Sequence, residues 1–198
     1  MFLIQQGLID KLDQLDKWLF IQVNYYGSNG LFDATMPYVR NSFYWAPLYI
    51  FLFFFATLNF RGKGWWWVVF FMCTVSLTDM TSSQLIKEIF KRPRPCADPE
   101  FYQYVRLLLS HCSGKYSFTS SHAANHFGMA VFMFITLKPV IKNWVWLGIA
   151  WAALIAYAQV YVGVHYPFDV LGGTIIGLMF GWILGSFFNK RFGFANFD

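Results

Sequence analysis

The chain has 198 residues, of which 57% are apolar and only 13% charged. A soluble domain carries about 25% charge, so the composition excludes an ordinary soluble protein and points to a single membrane domain, residues 1–198. The formal charge of +5 does not argue for nucleic acid, because the basic residues fall in short loops where topology and an anionic substrate explain them.

The chain opens "MFLIQQGLIDKLDQLDKWLFIQVNYYG". It lacks the basic leader and continuous apolar core of a signal peptide. Leu8, Ile9, Leu12, Leu15, Leu19 and Phe20 recur at helical spacing, with Asp10, Lys11, Asp13, Asp16 and Lys17 between them. That pattern predicts an amphipathic helix on the membrane surface, within a surface segment 1–40. A transmembrane bundle then fills 43–188, with spans near 43–60, 64–86, 121–138, 143–163 and 168–188. The expected fold class is all-α, a polytopic helical bundle of about five spans plus the interfacial helix. Aromatics at 22%, with nine Trp and eleven Tyr, suit rings at bilayer interfaces.

Sidedness follows from the breaks between spans. "NFRGKG", "KPVIKN" and the terminal "NKRFGFANFD" carry Arg61, Lys63, Lys138, Lys142, Lys190 and Arg191. With five spans all three fall on one side, which the positive-inside rule makes cytoplasmic. The amphipathic start, the loop 87–120 and the link "HYPFD" then face the periplasm or cell exterior of a bacterial inner membrane. That face also holds Lys87, Lys91, Arg92, Arg94, Arg106 and Lys115, an excess that calls for a purpose.

Within the spans, Asp79 is expected to face the bundle interior and to have a partner, since a carboxylate at mid-bilayer costs about 2.5–3.5 kcal/mol. Gly173, Gly177, Gly181 and Gly185 make a small-residue face for close helix packing, inside the bundle or between subunits. Oligomeric state stays open. Cys73 lies in an apolar run. Cys96 and Cys112 bracket a polar loop and can pair as a disulfide in an oxidising compartment, or stay as two thiols.

Three clusters gather on the periplasmic side. In "KEIFKRPRP", Lys87 and Arg94 lie seven apart. Such cations often only anchor a helix, but Pro93 and Pro95 stiffen Arg94, and a rigid guanidinium suits phosphate. In "TSSH", Thr119 and Ser120 are good N-caps for the third span, whose free N–H groups make an anion site with Ser120 and Ser121. His122 lies in the first turn. His122 and His126 share a face at i, i+4, as in a helical zinc pair, but the "HExxH" glutamate and any further ligand are missing, so no metal or other cofactor is expected. In "HYPFD", Asp169 can accept a hydrogen bond from His165 and leave its other nitrogen nucleophilic; the plain alternative is a histidine at the membrane surface. One histidine with a carboxylate and one without suit a nucleophile and a general acid.

These residues resemble the type-2 phosphatidic acid phosphatase family, membrane lipid phosphatases that share an active site with vanadium haloperoxidases. The first motif of that family, Lys, six residues, Arg-Pro, is Lys87 and Arg94-Pro95 here. Its Pro-Ser-Gly-His becomes Thr119-Ser120-Ser121-His122, and its Ser-Arg, five residues, His, three residues, Asp becomes Ala158-Gln159, His165, Asp169. The resemblance implies that His165 attacks phosphorus, Asp169 orients it and His122 protonates the leaving group. Lys87, Arg94, Ser120, Ser121 and the residue at 159 would hold phosphate oxygens. Gln159 stands where the family places an arginine, and Arg92 and Arg106 are the compensating cations this reading offers.

The function expected is a metal-independent lipid phosphate phosphatase working through a phosphohistidine. Its substrate would be a bilayer lipid such as undecaprenyl diphosphate, with phosphatidylglycerophosphate, phosphatidic acid or a lipid A phosphate as alternatives. The rival class is a weakened phospholipid binder or transporter, motivated by Gln159.

Overall fold

A computed structural model describes residues 2–112 and 114–194, with side chains from residue 7 onward. Helix α1 (Phe2–Ile21) runs into a π-helical turn (Gln22–Tyr26). Helix α2 (Gly30–Val39) starts at Asn29, whose side chain accepts the Phe32 N–H at 2.9 Å. Helix α3 (Ala46–Asp79) continues through a π-helical segment (Met80–Ile86) into the four-residue α4 (Lys87–Phe90). After the long loop come α5 (Ser121–Ile141), α6 (Trp146–Tyr161) and α7 (Pro167–Arg191). No strand occurs among the described residues.

Three continuous helical stretches are long and apolar enough to cross a membrane: Ser42–Ala97, Ser121–Tyr161 and Pro167–Arg191. The first two fold back on themselves. Arg61 breaks α3 with φ 50° and ψ −127°, and Lys142 turns the chain between α5 and α6 with φ 51°. The rings of Phe53 and Trp65 then meet at 5.6 Å, and those of Phe134 and Trp146 at 4.9 Å. The result is five legs, near the five expected spans. The α6 leg has 16 residues, about 24 Å at 1.5 Å per residue, shorter than a ~30 Å hydrocarbon core.

The glycine face closes inside the bundle, against α5. A Cβ on Gly177 would stand 2.5 Å from the Ala124 carbonyl oxygen and 2.7 Å from the Gly128 nitrogen, so only glycine permits this approach. The basic breaks collect at one end: Lys63 Nζ donates to the Gly193 carbonyl at 3.0 Å, and Asn189 to Ile135 at 2.9 Å. Trp67, Phe71, Phe132 and Phe188 pack the core between that end and the site.

Helix α1 turns its apolar residues outward. Leu8, Ile9, Leu12 and Leu15 are exposed, while Asp16 and Phe20 are fully buried. This suits a helix lying between protein and lipid, its polar side toward the protein.

Candidate active site

The N-termini of α5 and α7 are tied together. Ser120 is the N-cap of α5, its hydroxyl oxygen accepting the Ala123 N–H at 3.4 Å. Its own N–H donates to the Asp169 carbonyl at 2.9 Å. Pro167 occupies the first turn of α7, where its missing N–H costs nothing. Asp169 reaches back to accept the Tyr166 N–H at 2.8 Å. His165, just before that helix, is thereby fixed beside the start of α5.

His165 and Asp169 are both buried. Nδ1 of His165 lies 3.6 Å from Asp169 Oδ2, longer than a hydrogen bond. Ser117 closes the gap. Its hydroxyl hydrogen-bonds Asp169 and lies 3.4 Å from Nδ1. Arg92 Nη1 holds the other carboxylate oxygen at 2.9 Å and Asp16 at 2.8 Å, and Nη2 reaches Asp13 at 3.1 Å. The Arg92 guanidinium lies over the Tyr166 ring, 4.0 Å from its centroid. Burial pushes His165 down to about 4, against the nearby Asp169 carboxylate. At neutral pH its imidazole is therefore uncharged, with the Nδ1 edge occupied and Nε2 left over.

Arg94 is 7% exposed. One nitrogen donates to the Val164 carbonyl at 3.4 Å, and the Gly114 backbone, at φ +91°, lies so close that a Cβ there would touch the guanidinium at 2.7 Å. Lys87, at the start of α4, lies within electrostatic reach of Arg94, His122 and His165. Buried Arg94 Nε, Thr119 Oγ1 and Gln159 Nε2 have no hydrogen-bond partner among the described residues. Three buried polar groups with unused donors, Arg94 within electrostatic reach of His165, suit an oxygen-rich anion.

His122 lines a cavity of about 340 Å³ between α3 and α5, with Tyr49, Asp79, Ser121, Asn125 and Met129. The hydroxyl of Ser121, read from sequence as a phosphate donor, lies 2.7 Å from Ser83 Oγ. Asp79 accepts from Ser83 at 3.1 Å and from Asn125 at 3.2 Å, the partners expected of it. His126 packs at 4.9 Å from the Trp151 ring centroid, with Nδ1 2.7 Å from the His122 carbonyl oxygen. Among the described residues no group of three or more His, Cys, Asp or Glu is arranged to hold a metal. Cys96 and Cys112 form a disulfide across the loop, with Cα atoms 5.8 Å apart.

The compensating cations expected from sequence are engaged elsewhere. Arg92 serves the carboxylates above. Arg106 grips Asp33 in a fork with contacts of 2.7 to 2.9 Å and also meets Asn24 and the Tyr161 hydroxyl. The guanidinium beside Gln159 is that of Arg40, whose Nε donates to Oε1 at 3.3 Å. Neither Arg40 nor Ser117 stands out in the motif reading. The one sequence signal for Arg40 is its place as a lone cation in "MPYVRNSFYW".

An all-helical membrane bundle that sets a histidine–carboxylate pair, a second histidine and several cations at its helix ends is of the membrane phosphatase class. Residues 64–192 match the sequence model of the PAP2 superfamily, and the chain belongs to that family and is a phosphatase. It is 29% identical over 184 residues to a protein named Lipid A 4'-phosphatase from Bacteroides thetaiotaomicron, covering 89% of this chain and 78% of that protein. An Undecaprenyl-diphosphatase of Sulfolobus acidocaldarius is 32% identical over 156 residues, 78% of this chain and 66% of the relative. The crystal structure of Aquifex aeolicus LpxE superposes with a TM-score of 0.65 at 26% identity, over 85% of this chain and 93% of that one.

Proposed function

We propose that the protein removes a phosphate from a membrane lipid through a phosphohistidine, on the periplasmic side of a bacterial inner membrane. The observation that carries this reading is the buried His165, uncharged at neutral pH, with its Nδ1 edge against Asp169 and Ser117. Nε2 attacks phosphorus, a P–N bond forms and the P–O bond to the lipid breaks. His122 gives its proton to the departing oxygen. Water, losing a proton to His122, then attacks phosphorus, breaks the P–N bond and releases phosphate. Lys87, Arg94, Ser120 and the α5 N-terminus neutralise the charge that builds on the equatorial oxygens. Asp169, held by Arg92 and the Tyr166 N–H, steadies the imidazole.

For the substrate we favour a lipid A type phosphate. The cavity beside His122 carries a polar strip of Asp79, Asn125 and Ser121 above apolar Phe71, Met72 and Met129, which suits a hydroxyl-bearing headgroup on an acyl chain. The name of the Bacteroides relative supports the same choice. Undecaprenyl diphosphate is the second reading, supported by the Sulfolobus relative. A panel of lipid A, undecaprenyl diphosphate, phosphatidylglycerophosphate and phosphatidic acid separates them. Phosphate release that persists in a chelator and vanishes in His165→Ala is expected, with lipid A turned over fastest. Release surviving His165→Ala would remove the nucleophile assignment, and no release from any lipid would favour a phospholipid binder.

A further inference from the structure

Position 159 lacks the positive charge of the family pattern, and the fold brings one from 119 residues away. Helix α2 packs across α6: the Phe32 ring meets Tyr157 at 6.2 Å and Tyr161 at 5.7 Å, and Met36 is buried beside Ala158. The Tyr161 hydroxyl donates to Asp33 at 2.6 Å, fixing the first turn of α2. Arg40, the C-cap of α2, is thus delivered to Gln159.

Three observations separate Arg40 from an ordinary helix-end cation. No carboxylate pairs with it among the described residues, whereas Arg92 and Arg106 both have one. It lies within electrostatic reach of Arg94 and His122. The Asp169 carboxylate within reach of Arg94 is already held by Arg92, and an anion between the two guanidiniums offsets their repulsion. Gln159 is fully buried, uses Oε1 to accept from Arg40, and leaves Nε2 without a partner among the described residues.

We propose that Arg40 is a phosphate-binding residue of this phosphatase, supplying the charge that position 159 lacks, with Gln159 holding it through Oε1 and offering Nε2 as a second donor. A carboxamide and an arginine from a distant helix together replace one arginine. Burial lowers the pKa of Arg40, but an arginine stays cationic at neutral pH.

The inference rests on the phosphatase reading above, and the test keeps the two apart. The full chain is assayed in detergent with lipid A or phosphatidic acid, and inorganic phosphate binding is titrated in parallel. Arg40→Gln is expected to lower kcat/KM about 10²-fold and to weaken phosphate binding about tenfold or more. Gln159→Arg in the Arg40→Gln background is expected to recover most of that loss. Should Arg40→Gln fail to fold, Arg40→Met meets the same thresholds. With wild type active and His165→Ala dead, a twofold or smaller effect of Arg40 substitution in both assays overturns the inference alone, as does a double variant no better than the single. If wild type releases no phosphate from any of the four lipids named above the phosphatase reading fails, and the phosphate titration still decides Arg40: unchanged or absent binding overturns it.

Discussion

His165 owes its free lone pair to burial, which holds its pKa near 4 rather than 6.5. The expected kcat/KM is level from neutral pH down to about pH 5, as far as His165 governs it, and falls as Nε2 protonates near pH 4. Stability follows the same group. Between pH 6.5 and 4 the unfolded chain binds a proton that the folded one does not, so this contribution weakens as pH falls through that window. Asp16 acts in the opposite sense, because burial raises it from 3.8 to about 6. The folded state then holds the extra proton, and this term is present below pH 3.8 and lost as pH rises through 6. Thermal melts of His165→Gln should show a flatter acid decline than wild type. The motif residues were legible because spacing along the chain reports them: Lys87, Arg94, His122, His165 and Asp169 keep their intervals. Ser117 and Arg40 were not, since their proximity to His165 and Gln159 comes from tertiary contact and no local period encodes it.

At the scale of elements, the contact of α5 with α7 sets the distance between His122 and the His165–Asp169 pair. Gly177→Ala would press a methyl group 2.5 Å from the Ala124 carbonyl. The expected cost is about 1–3 kcal/mol, and because both helices carry site residues, activity should drop as much as about 10²-fold for a ~1 Å shift. Gly62→Ala, with nothing within 4 Å, is the control expected to leave both unchanged. Helix α1 is fastened by Asp13 and Asp16, which both meet Arg92, and Asp16 Oδ1 also accepts the Phe168 N–H at 2.8 Å. Asp16→Ala leaves that half-buried donor and the Arg92 guanidinium without their buried partner, so a loss of about 1–3 kcal/mol is expected in the melt, with Asp16→Asn losing less. Glycine spacing and five apolar runs were readable in advance. The inward polar face of α1 was not, because its apolar stripe alone does not say whether Asp16 meets water or a buried arginine.

The whole molecule separates two ends by charge and chemistry. Lys63 and Asn189 bond across the basic end, while the site and the Cys96–Cys112 disulfide lie at the other. A disulfide needs an oxidising compartment to persist, so bond and basic breaks both argue that the site faces outward. Closing a loop with a sequence separation of 16 is worth about 3 kcal/mol in the entropy model, and the closed loop lies between Arg94 and Ser117 in the chain. The two arguments meet in one labelling experiment on intact cells. In a Cys73→Ser background only the disulfide pair can report. A membrane-impermeant maleimide should label nothing until an impermeant reductant is added, and then label the protein without permeabilisation. Activity should fall in step with reduction, because the segments that flank the disulfide and carry Arg94 and Ser117 lose their clamp. Labelling that requires permeabilised cells would put the loop and the site on the cytoplasmic side and reverse the topology, and labelling before reduction would mean that the two thiols are free.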